Sequence, residues 1–177
     1  YYKGIRFRPA ALFQQLGVEP IKLGPKEGLA LINGTQFILA FAVKAVQRLH
    51  NCLEAADIIG AMSLEALTGT QAPFDDRLHQ LRPFAGNRLV AQRLRKLLDG
   101  SAIMQSHVDC GRVQDPYSLR CMPQVHGASR NAWLHLKELT SIELNAVTDN
   151  PVVLSADDTI SGGNFHGQPL ALPLDYA

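Results

Sequence analysis

The feature that most constrains the fold is a stretch without proline, residues 36–67, which is apolar on nearly every side. A helix that is apolar around most of its circumference must be surrounded by other elements or by other subunits. At 1.5 Å per residue this helix is about 45 Å long, which is too long for a globule of 177 residues with a radius of gyration of about 16 Å to cover. The stretch therefore predicts partners outside this chain. Its apolar residues are Phe37, Ile38, Leu39, Phe41, Val43, Val46, Leu49, Leu53, Ile58, Ile59, Met62, Leu64 and Leu67.

The rest of the chain is also mainly helical in pattern. Start and stop signals predict helices over residues 9–16, 26–31, 87–98 and 124–147, and Thr35 is placed to cap the long helix. Residues 69–76 form a break, and residues 101–113 form a less regular connection. Two short β-rich runs, at residues 1–7 and 152–161, predict small hairpins. The expected fold class is mainly α, a bundle of long helices with two small β hairpins.

Composition excludes several classes of function. With 17 basic and 16 acidic residues the chain has no long-range field for nucleic acid or an anionic membrane. No basic and apolar leader opens it, and no uncharged apolar run reaches a membrane span. We therefore expect no nucleic-acid partner, no membrane partner and a cytoplasmic location. The basic residues Arg88, Arg93, Arg95 and Lys96 are expected on the solvent face of a helix.

Cysteine and histidine spacing gives no metal pattern. Cys52, Cys110 and Cys121 are odd in number and far apart, which is typical of reduced thiols. The six histidines show no ligand pairing of the HExxH kind. We expect no metal.

Residues 114–121, with the sequence Gln-Asp-Pro-Tyr-Ser-Leu-Arg-Cys, bring together groups that can do chemistry. Asp115 before Pro116 predicts a capped helix start. Tyr117 and Arg120 are three residues apart, so on a helix they share a face and can converge on one ligand. An arginine fork suits a carboxylate, and a phenol beside a cation can exchange a proton. The competing interpretation is a capped helix with a half-buried tyrosine and a solvated arginine.

Three separate stretches resemble one family. They are residues 31–36 (Leu-Ile-Asn-Gly-Thr-Gln), residues 114–127 around the Tyr117 motif, and residues 145–167, which contain Thr-Asp-Asn-Pro and Gly-Gly-Asn-Phe-His-Gly. In order and approximate spacing they resemble the aromatic amino acid ammonia-lyases and aminomutases. The resemblance covers residues 17–169. It implies a helical fold of ammonia-lyase type in a homo-oligomer, expected to be a tetramer, whose active sites combine subunits.

The resemblance also implies a cofactor. Members of this family carry an electrophilic methylidene-imidazolone made from an Ala-Ser-Gly triad, and this sequence contains no such triad. In the family the triad lies upstream of the segment that resembles residues 1–17. The chain opens at Tyr1 without methionine. We expect residues 1–177 to be the central part of one ammonia-lyase helical domain, with the cofactor outside this chain.

The family resemblance assigns roles to five residues. Asn33 and Tyr117 are implied as catalytic, Asn33 as a polar contact beside the electrophile and Tyr117 as a proton-handling phenol. Arg120 is implied as the carboxylate clamp, with Gln114 and Phe165 lining the same pocket. The alternatives are structural: a turn for Asn33, a loop amide for Gln114, and core aromatics for Tyr117 and Phe165. His166, Glu143 and Asp149 are interpreted as structural.

The implied activity is elimination of ammonia from an amino acid. Residues 118–121 and 165–167 resemble the histidine enzymes more than the phenylalanine enzymes, so the expected reaction is that of a histidine ammonia-lyase, from L-histidine to urocanate. The alternatives are a tyrosine or phenylalanine ammonia-lyase, or a 2,3-aminomutase. A third alternative, from another class, is a non-catalytic helical fragment or assembly module.

Overall fold

The computed structural model describes residues 1–108 and 110–177. Its residues form two compact units, Tyr1–Gly34 and Thr35–Ala177.

The first unit contains two helices. A β-bridge joins Tyr2 to Ile5, so the hairpin expected at residues 1–7 is a tight turn with this bridge. Helix α1 (Pro9–Leu16) has the predicted bounds, because proline starts it and Gly17 ends it in the left-handed conformation at φ 66°. Helix α2 (Glu27–Ala30) is one turn long and lies inside the predicted range.

The second unit contains the long helices. The long helix α3 (Gln36–Ala66) leads to a short 3₁₀ helix (Ala72–Phe74), followed by α4 (Asp76–Leu81), α5 (Ala85–Leu97), α6 (Ala102–Gln105), α7 (Tyr117–Arg120) and α8 (Met122–Glu143). An antiparallel pair, β1 (Val152–Val153) and β2 (Thr159–Ile160), confirms the second predicted hairpin, with Val152 opposite Ile160. Helix α9 (Gln168–Tyr176) closes the chain.

The core of this unit lies where α3, α5 and α8 pack together. Its buried apolar members are Ala61, Leu64, Phe74, Val90, Ala91, Leu94, Leu98, Met104, Leu119 and Met122. Other apolar side chains of α3 are exposed in this chain, and Phe37 and Met62 are 80% and 62% accessible. The expectation that α3 is apolar on more sides than one chain covers is therefore confirmed.

Two glycines bring α5 and α8 unusually close. A Cβ atom at Gly86 would lie 2.0 Å from the carbonyl oxygen of Gly127, and one at Gly127 would lie 2.6 Å from the backbone nitrogen of Asn87. Only residues without a side chain permit this approach. The amide of Gly86 donates to the side-chain oxygen of Asn131 at 2.8 Å, so α8 supplies a partner for the first turn of α5.

Short elements in the connections differ from the sequence expectation. The break at residues 69–76 contains the 3₁₀ helix and the start of α4, where the carboxylate of Asp75 accepts the amide of Arg77 at 2.9 Å. Thr35 precedes α3, but its hydroxyl donates to Glu143 at 2.5 Å, and no side-chain cap from it is present in the described part of the chain. The expected side-chain cap is therefore wrong, because the hydroxyl of Thr35 is directed to the distant carboxylate of Glu143 and not to the amides of α3.

Candidate functional site

The segment with the candidate residues begins differently from the sequence expectation. Pro116 is the residue before α7, and α7 is one turn long. The carboxylate of Asp115 accepts the amide of Thr70 at 2.7 Å and the guanidinium of Arg112 at 3.1 Å. The prediction that Asp115 caps the helix of Tyr117 is therefore wrong, because donors brought by the fold occupy this carboxylate. Pro123 lies in the first turn of α8, where a proline is tolerated because its missing N–H would have no partner within the helix.

Tyr117 and Arg120 come together as their spacing predicts. The central carbon of the Arg120 guanidinium lies 4.7 Å from the centroid of the Tyr117 ring, within the range of a cation–π contact. Tyr117 is 72% exposed, so the ring is not a core aromatic in this chain. The two side chains form one surface feature that combines a phenol with a fixed positive charge.

Within the described part of the chain, the guanidinium of Arg120 has no acidic partner. Among the described residues it makes no ion pair, and its buried Nε atom has no hydrogen-bond acceptor. Arg120 borders an open cavity of about 380 Å³ together with Pro73, Leu78 and Gln124. Because a partly buried cation is costly without a counter-charge, this guanidinium suits an anionic ligand better than solvent alone.

Gln114 borders a different cavity. This space of about 430 Å³ is also lined by Gly69, His107, Arg112 and Asp115. Gln114 and Arg120 therefore line separate depressions within this chain. The structure does not bring Gln114 into the cavity that Arg120 borders.

Phe165 lies in the segment that follows β2 and is 41% exposed. Its neighbours Asn164 and His166 line a third cavity, of about 330 Å³, with Glu143 and Thr148. His166 accepts the backbone amide of Gln168 at 3.2 Å through Nδ1. Glu143 holds Thr35, which agrees with the structural interpretation of Glu143.

Asn33 belongs to the first unit, whereas the other four candidate residues belong to the second. Its backbone amide donates to the carbonyl of Leu29 at 2.9 Å, and Asn33 is half-buried. The turn that follows has Gly34 at φ 87°, a backbone conformation that favours glycine. The catalytic role of Asn33 stays a prediction.

A buried charged cluster that was not expected from the sequence joins α3, α5 and α8. We call it the Asp57 cluster and define it as Glu54, Asp57, Arg93, His126 and Arg130. Asp57 is fully buried and accepts from Arg93 at 2.8 Å, from His126 Nδ1 at 3.0 Å and from Arg130. Glu54 pairs with Arg93 at 2.6 Å and with Arg130 at 3.1 Å. Glu54 and Asp57, two acidic residues three apart in the otherwise apolar stretch 52–62 of α3, were the available signal, because a buried acid needs cationic partners.

The Asp57 cluster also corrects one expectation and explains one pKa. Arg93 was expected on a solvent face, but it binds Asp57, and Arg95 donates to the carbonyl of Phe74. Burial by itself would raise the pKa of Asp57. Hydrogen bonds from His126, Arg93 and Arg130 outweigh burial and hold the pKa of this carboxyl below its ordinary value.

Metal-ligating clusters and membrane-spanning helices are both absent from residues 1–108 and 110–177. In these residues no group of three or more His, Cys, Asp or Glu side chains is arranged to hold a metal ion. None of the helices they form combines the length and apolar character needed to cross a membrane.

Comparison with known proteins gives a family match over the whole chain. The family model described as aromatic amino acid lyase matches residues 1–177. A histidine ammonia-lyase of Sorangium cellulosum is 52% identical over 182 aligned residues, which cover 99% of this chain and 35% of the relative. The chain thus spans about a third of the length of the curated relatives it matches.

Solved structures give the same family and do not separate its reactions. The crystal structure of histidine ammonia-lyase from Trypanosoma cruzi matches with a TM-score of 0.79 and 46% identity, over 94% of this chain and 30% of that one. A tyrosine aminomutase from Streptomyces globisporus matches with a TM-score of 0.87 and 34% identity, over 98% of this chain and 37% of that one. The expected helical fold is confirmed, because neighbours with both reactions share it.

Proposed function

We propose, because this chain belongs to the aromatic amino acid lyase family, that the intact protein eliminates ammonia from L-histidine to give urocanate. The observation that carries the proposal is an arginine, Arg120, stacked on a phenol, Tyr117, with no acidic partner among the described residues. Such a guanidinium is free to pair with the carboxylate that every amino acid substrate carries.

The preference for histidine rests on sequence similarity. The relative named a histidine ammonia-lyase is 52% identical to this chain, whereas the tyrosine aminomutase is 34% identical. The backbone alone does not discriminate, since the aminomutase has the higher TM-score of the two solved structures. A tyrosine or phenylalanine lyase or a 2,3-aminomutase is therefore the alternative outcome of the test.

In the proposed mechanism each residue acts on a different part of the substrate. Arg120 holds the carboxylate with its planar fork and fixes the amino acid in one orientation. Tyr117, beside that carboxylate, moves the proton of the β carbon. Asn33 is proposed to contact the substrate beside the electrophile. Phe165 and Gln114 are proposed to line the pocket in the assembled oligomer, since within one chain Gln114 borders a different cavity from Arg120.

The electrophile is proposed to come from outside these residues. A methylidene-imidazolone formed from an Ala-Ser-Gly string supplies the activation of the amine when it is present, and this chain contains no such string. The residues described here fit that chemistry, because the amine is left for another group while Arg120 and Tyr117 serve the carboxylate and the β proton. We infer that residues 1–177 form the central part of a longer helical domain and are inactive alone. We propose no metal cofactor.

The protein is further proposed to be a cytoplasmic homo-oligomer, with a tetramer as the expected state. The support is the apolar surface that α3 leaves exposed. There the ring centroids of Phe37 and Phe41 are 5.1 Å apart, and Ile59 is 60% accessible. Patches of this kind mark surfaces that another subunit covers.

The proposal is tested with the intact protein and free amino acids. L-histidine should give the ultraviolet absorbance of urocanate, and L-tyrosine and L-phenylalanine should give no cinnamate-type absorbance. Formation of a cinnamate, or of a β-amino acid detected by chromatography, would assign the alternative reactions. An intact protein that binds no amino acid and releases no ammonia would leave the assembly module as the function.

A further inference from the structure

Asp115 occupies a central place in the candidate site. Gln114 precedes it directly, and Tyr117 and Arg120 follow within five residues. Its side chain is 95% or more buried, although Gln114 and Tyr117 beside it are exposed. A buried acid among exposed neighbours needs an explanation, because burial of a carboxylate costs free energy unless donors compensate it.

Two hydrogen-bond donors compensate the burial of the Asp115 carboxylate. Both attach residues 112–115 to the residues that follow the end of α3. Oδ2 accepts the amide of Thr70 at 2.7 Å, and Oδ1 accepts the guanidinium of Arg112 at 3.1 Å. The same guanidinium donates to the carbonyl of Leu67 at 3.3 Å. The backbone of Gly69 lies so close that a Cβ there would be 3.1 Å from Oδ2. The carboxylate thus fills a fitted recess formed by residues 67–70.

Helix α7, which carries Tyr117 and Arg120, depends on tertiary contacts for its orientation. It has one turn, and such a short helix is marginal without tertiary contacts. Within this helix, the side chain of Leu119 packs into the core and is 4% accessible. Asp115 therefore forms the upstream attachment of the turn and Leu119 the attachment within it.

We propose that Asp115 is a positioning residue that sets the direction in which Arg120 presents its guanidinium to the substrate carboxylate. The inference rests on the proposed function in one respect, namely that the ligand is an amino acid. Asp115 does not touch the ligand. Its loss removes the upstream attachment of the turn and leaves Leu119 and the start of α8 at Met122 as the remaining ones, so Arg120 samples more directions and grips a carboxylate less well.

The test measures binding by calorimetry in the intact enzyme, so that turnover is not required. The ligands are imidazole-4-propionate and 4-ethylimidazole, which differ by the carboxylate only. For Asp115→Asn we expect affinity for imidazole-4-propionate to fall about tenfold or more, the order of a lost charge-assisted contact. Affinity for 4-ethylimidazole should stay within about twofold, because the ring site is unchanged.

Two further variants keep the test decisive. Arg112→Gln removes the exposed partner of Asp115 and should shift the same ligand preference less, and it replaces Asp115→Asn if that variant fails to fold. Asp157→Asn is the matched control, because this exposed residue lies in the turn of the hairpin, and it should change neither affinity. In an Arg120→Lys background, Asp115→Asn should add little, since the two residues act on one contact.

The outcomes separate this inference from the proposed function. Equal loss of both ligands, or full additivity with Arg120→Lys, overturns the positioning role. If the wild-type enzyme makes no urocanate and binds neither imidazole, the same comparison is made with 3-(4-hydroxyphenyl)propionate and 4-ethylphenol. Selective loss of the acid there supports positioning although the histidine assignment fails. Failure of wild-type enzyme to bind either acid overturns both.

Discussion

Two buried aspartates, Asp57 and Asp115, are both held by arginine and yet serve different regions. Asp57 lies in α3, is fully buried, and receives side chains from α5 and α8. Asp115 lies between helices, and its partners are a backbone amide and a half-exposed arginine three residues away. The first aspartate fastens three long helices to each other, and the second fastens one short segment to a helix end.

The difference shows that an aspartate–arginine pair can stabilise the fold in one region and support the candidate site in another. Around Asp57 several cationic groups meet acids inside the bundle, so removing one member leaves buried charge without compensation. Beyond Asp115 the next arginine, Arg120, has no acid among the described residues and lies at the surface beside Tyr117. Changes near Asp57 should therefore affect unfolding, and changes in the segment after Asp115 should affect the reaction.

The largest effect is expected at Tyr117. Tyr117→Phe in the intact enzyme should lower kcat by about 10² to 10⁴-fold, the usual loss for one positioned acid–base group. Steady-state kinetics with L-histidine measures it. Unfolding should change by at most about 0.5 kcal/mol, because the ring is exposed. A kcat within about threefold of wild type would contradict that expected loss and remove Tyr117 from the mechanism. The segment after Asp115 would then no longer differ from the Asp57 region by its role in the reaction.

The next effect is expected at Asp57. Asp57→Ala should lower the free energy of unfolding by about 3 to 5 kcal/mol, because Arg93, Arg130 and His126 lose a buried counter-charge. Urea unfolding followed by circular dichroism measures the change, with Asp157→Ala as the control at an exposed acid in the hairpin turn. A loss below about 1 kcal/mol, the value of a surface ion pair, would show that Asp57 stabilises the bundle no more than a surface acid does.

A smaller effect is expected at Arg120. Arg120→Lys should raise KM for L-histidine about tenfold with a lesser change in kcat, since an ammonium cannot reproduce the two parallel hydrogen bonds of a guanidinium. Arg77→Lys, in an exposed pair with Asp75, is the matched control and should leave KM unchanged. An Arg120→Lys enzyme with the wild-type KM would contradict the carboxylate clamp.

The smallest effect is a pH dependence of stability. The folded pKa of Asp57 lies below its ordinary value, so its stabilisation is present above the unfolded pKa of about 3.9 and is lost as pH falls through the folded pKa. Thermal melts below about pH 4 should lose less stability in Asp57→Asn than in wild type. Arg77 lowers the pKa of Asp75 to about 2, but this pair is exposed, so salt should screen its contribution more. Equal slopes for wild type and Asp57→Asn would contradict the assignment to Asp57.

Prediction succeeded where the physical signal was local. The bounds of α1 follow from a proline at its start and a glycine at its end, and both act within one turn. Tyr117 and Arg120 meet because three residues of separation place them on one face. Family resemblance, confirmed by the match over residues 1–177, rests on the same short stretches.

Prediction failed where a side chain expected to bind its own helix binds a group that is distant in the sequence. Asp115 and Thr35 were both expected to cap helices, and both bind partners that the fold brings from elsewhere, Thr70 and Glu143. The close crossing at Gly86 and Gly127 left no periodic signal either. A glycine in a helix is ordinarily unfavourable, and only the approach of the second helix explains these two.

The sequence by itself determined a helical chain with one helix too apolar for a single copy to cover, and it identified Tyr117 and Arg120 as candidates that share a helix face. Tertiary structure alone decided which arginines pair with acids inside the bundle and which have no acidic partner among the described residues. Arg93 and Arg130 pair with Asp57, whereas Arg120 keeps its charge uncompensated among the described residues. The physical reason is that the role of a charge depends on the partners around it, and residues 36 to 73 positions apart in the chain become partners only after folding.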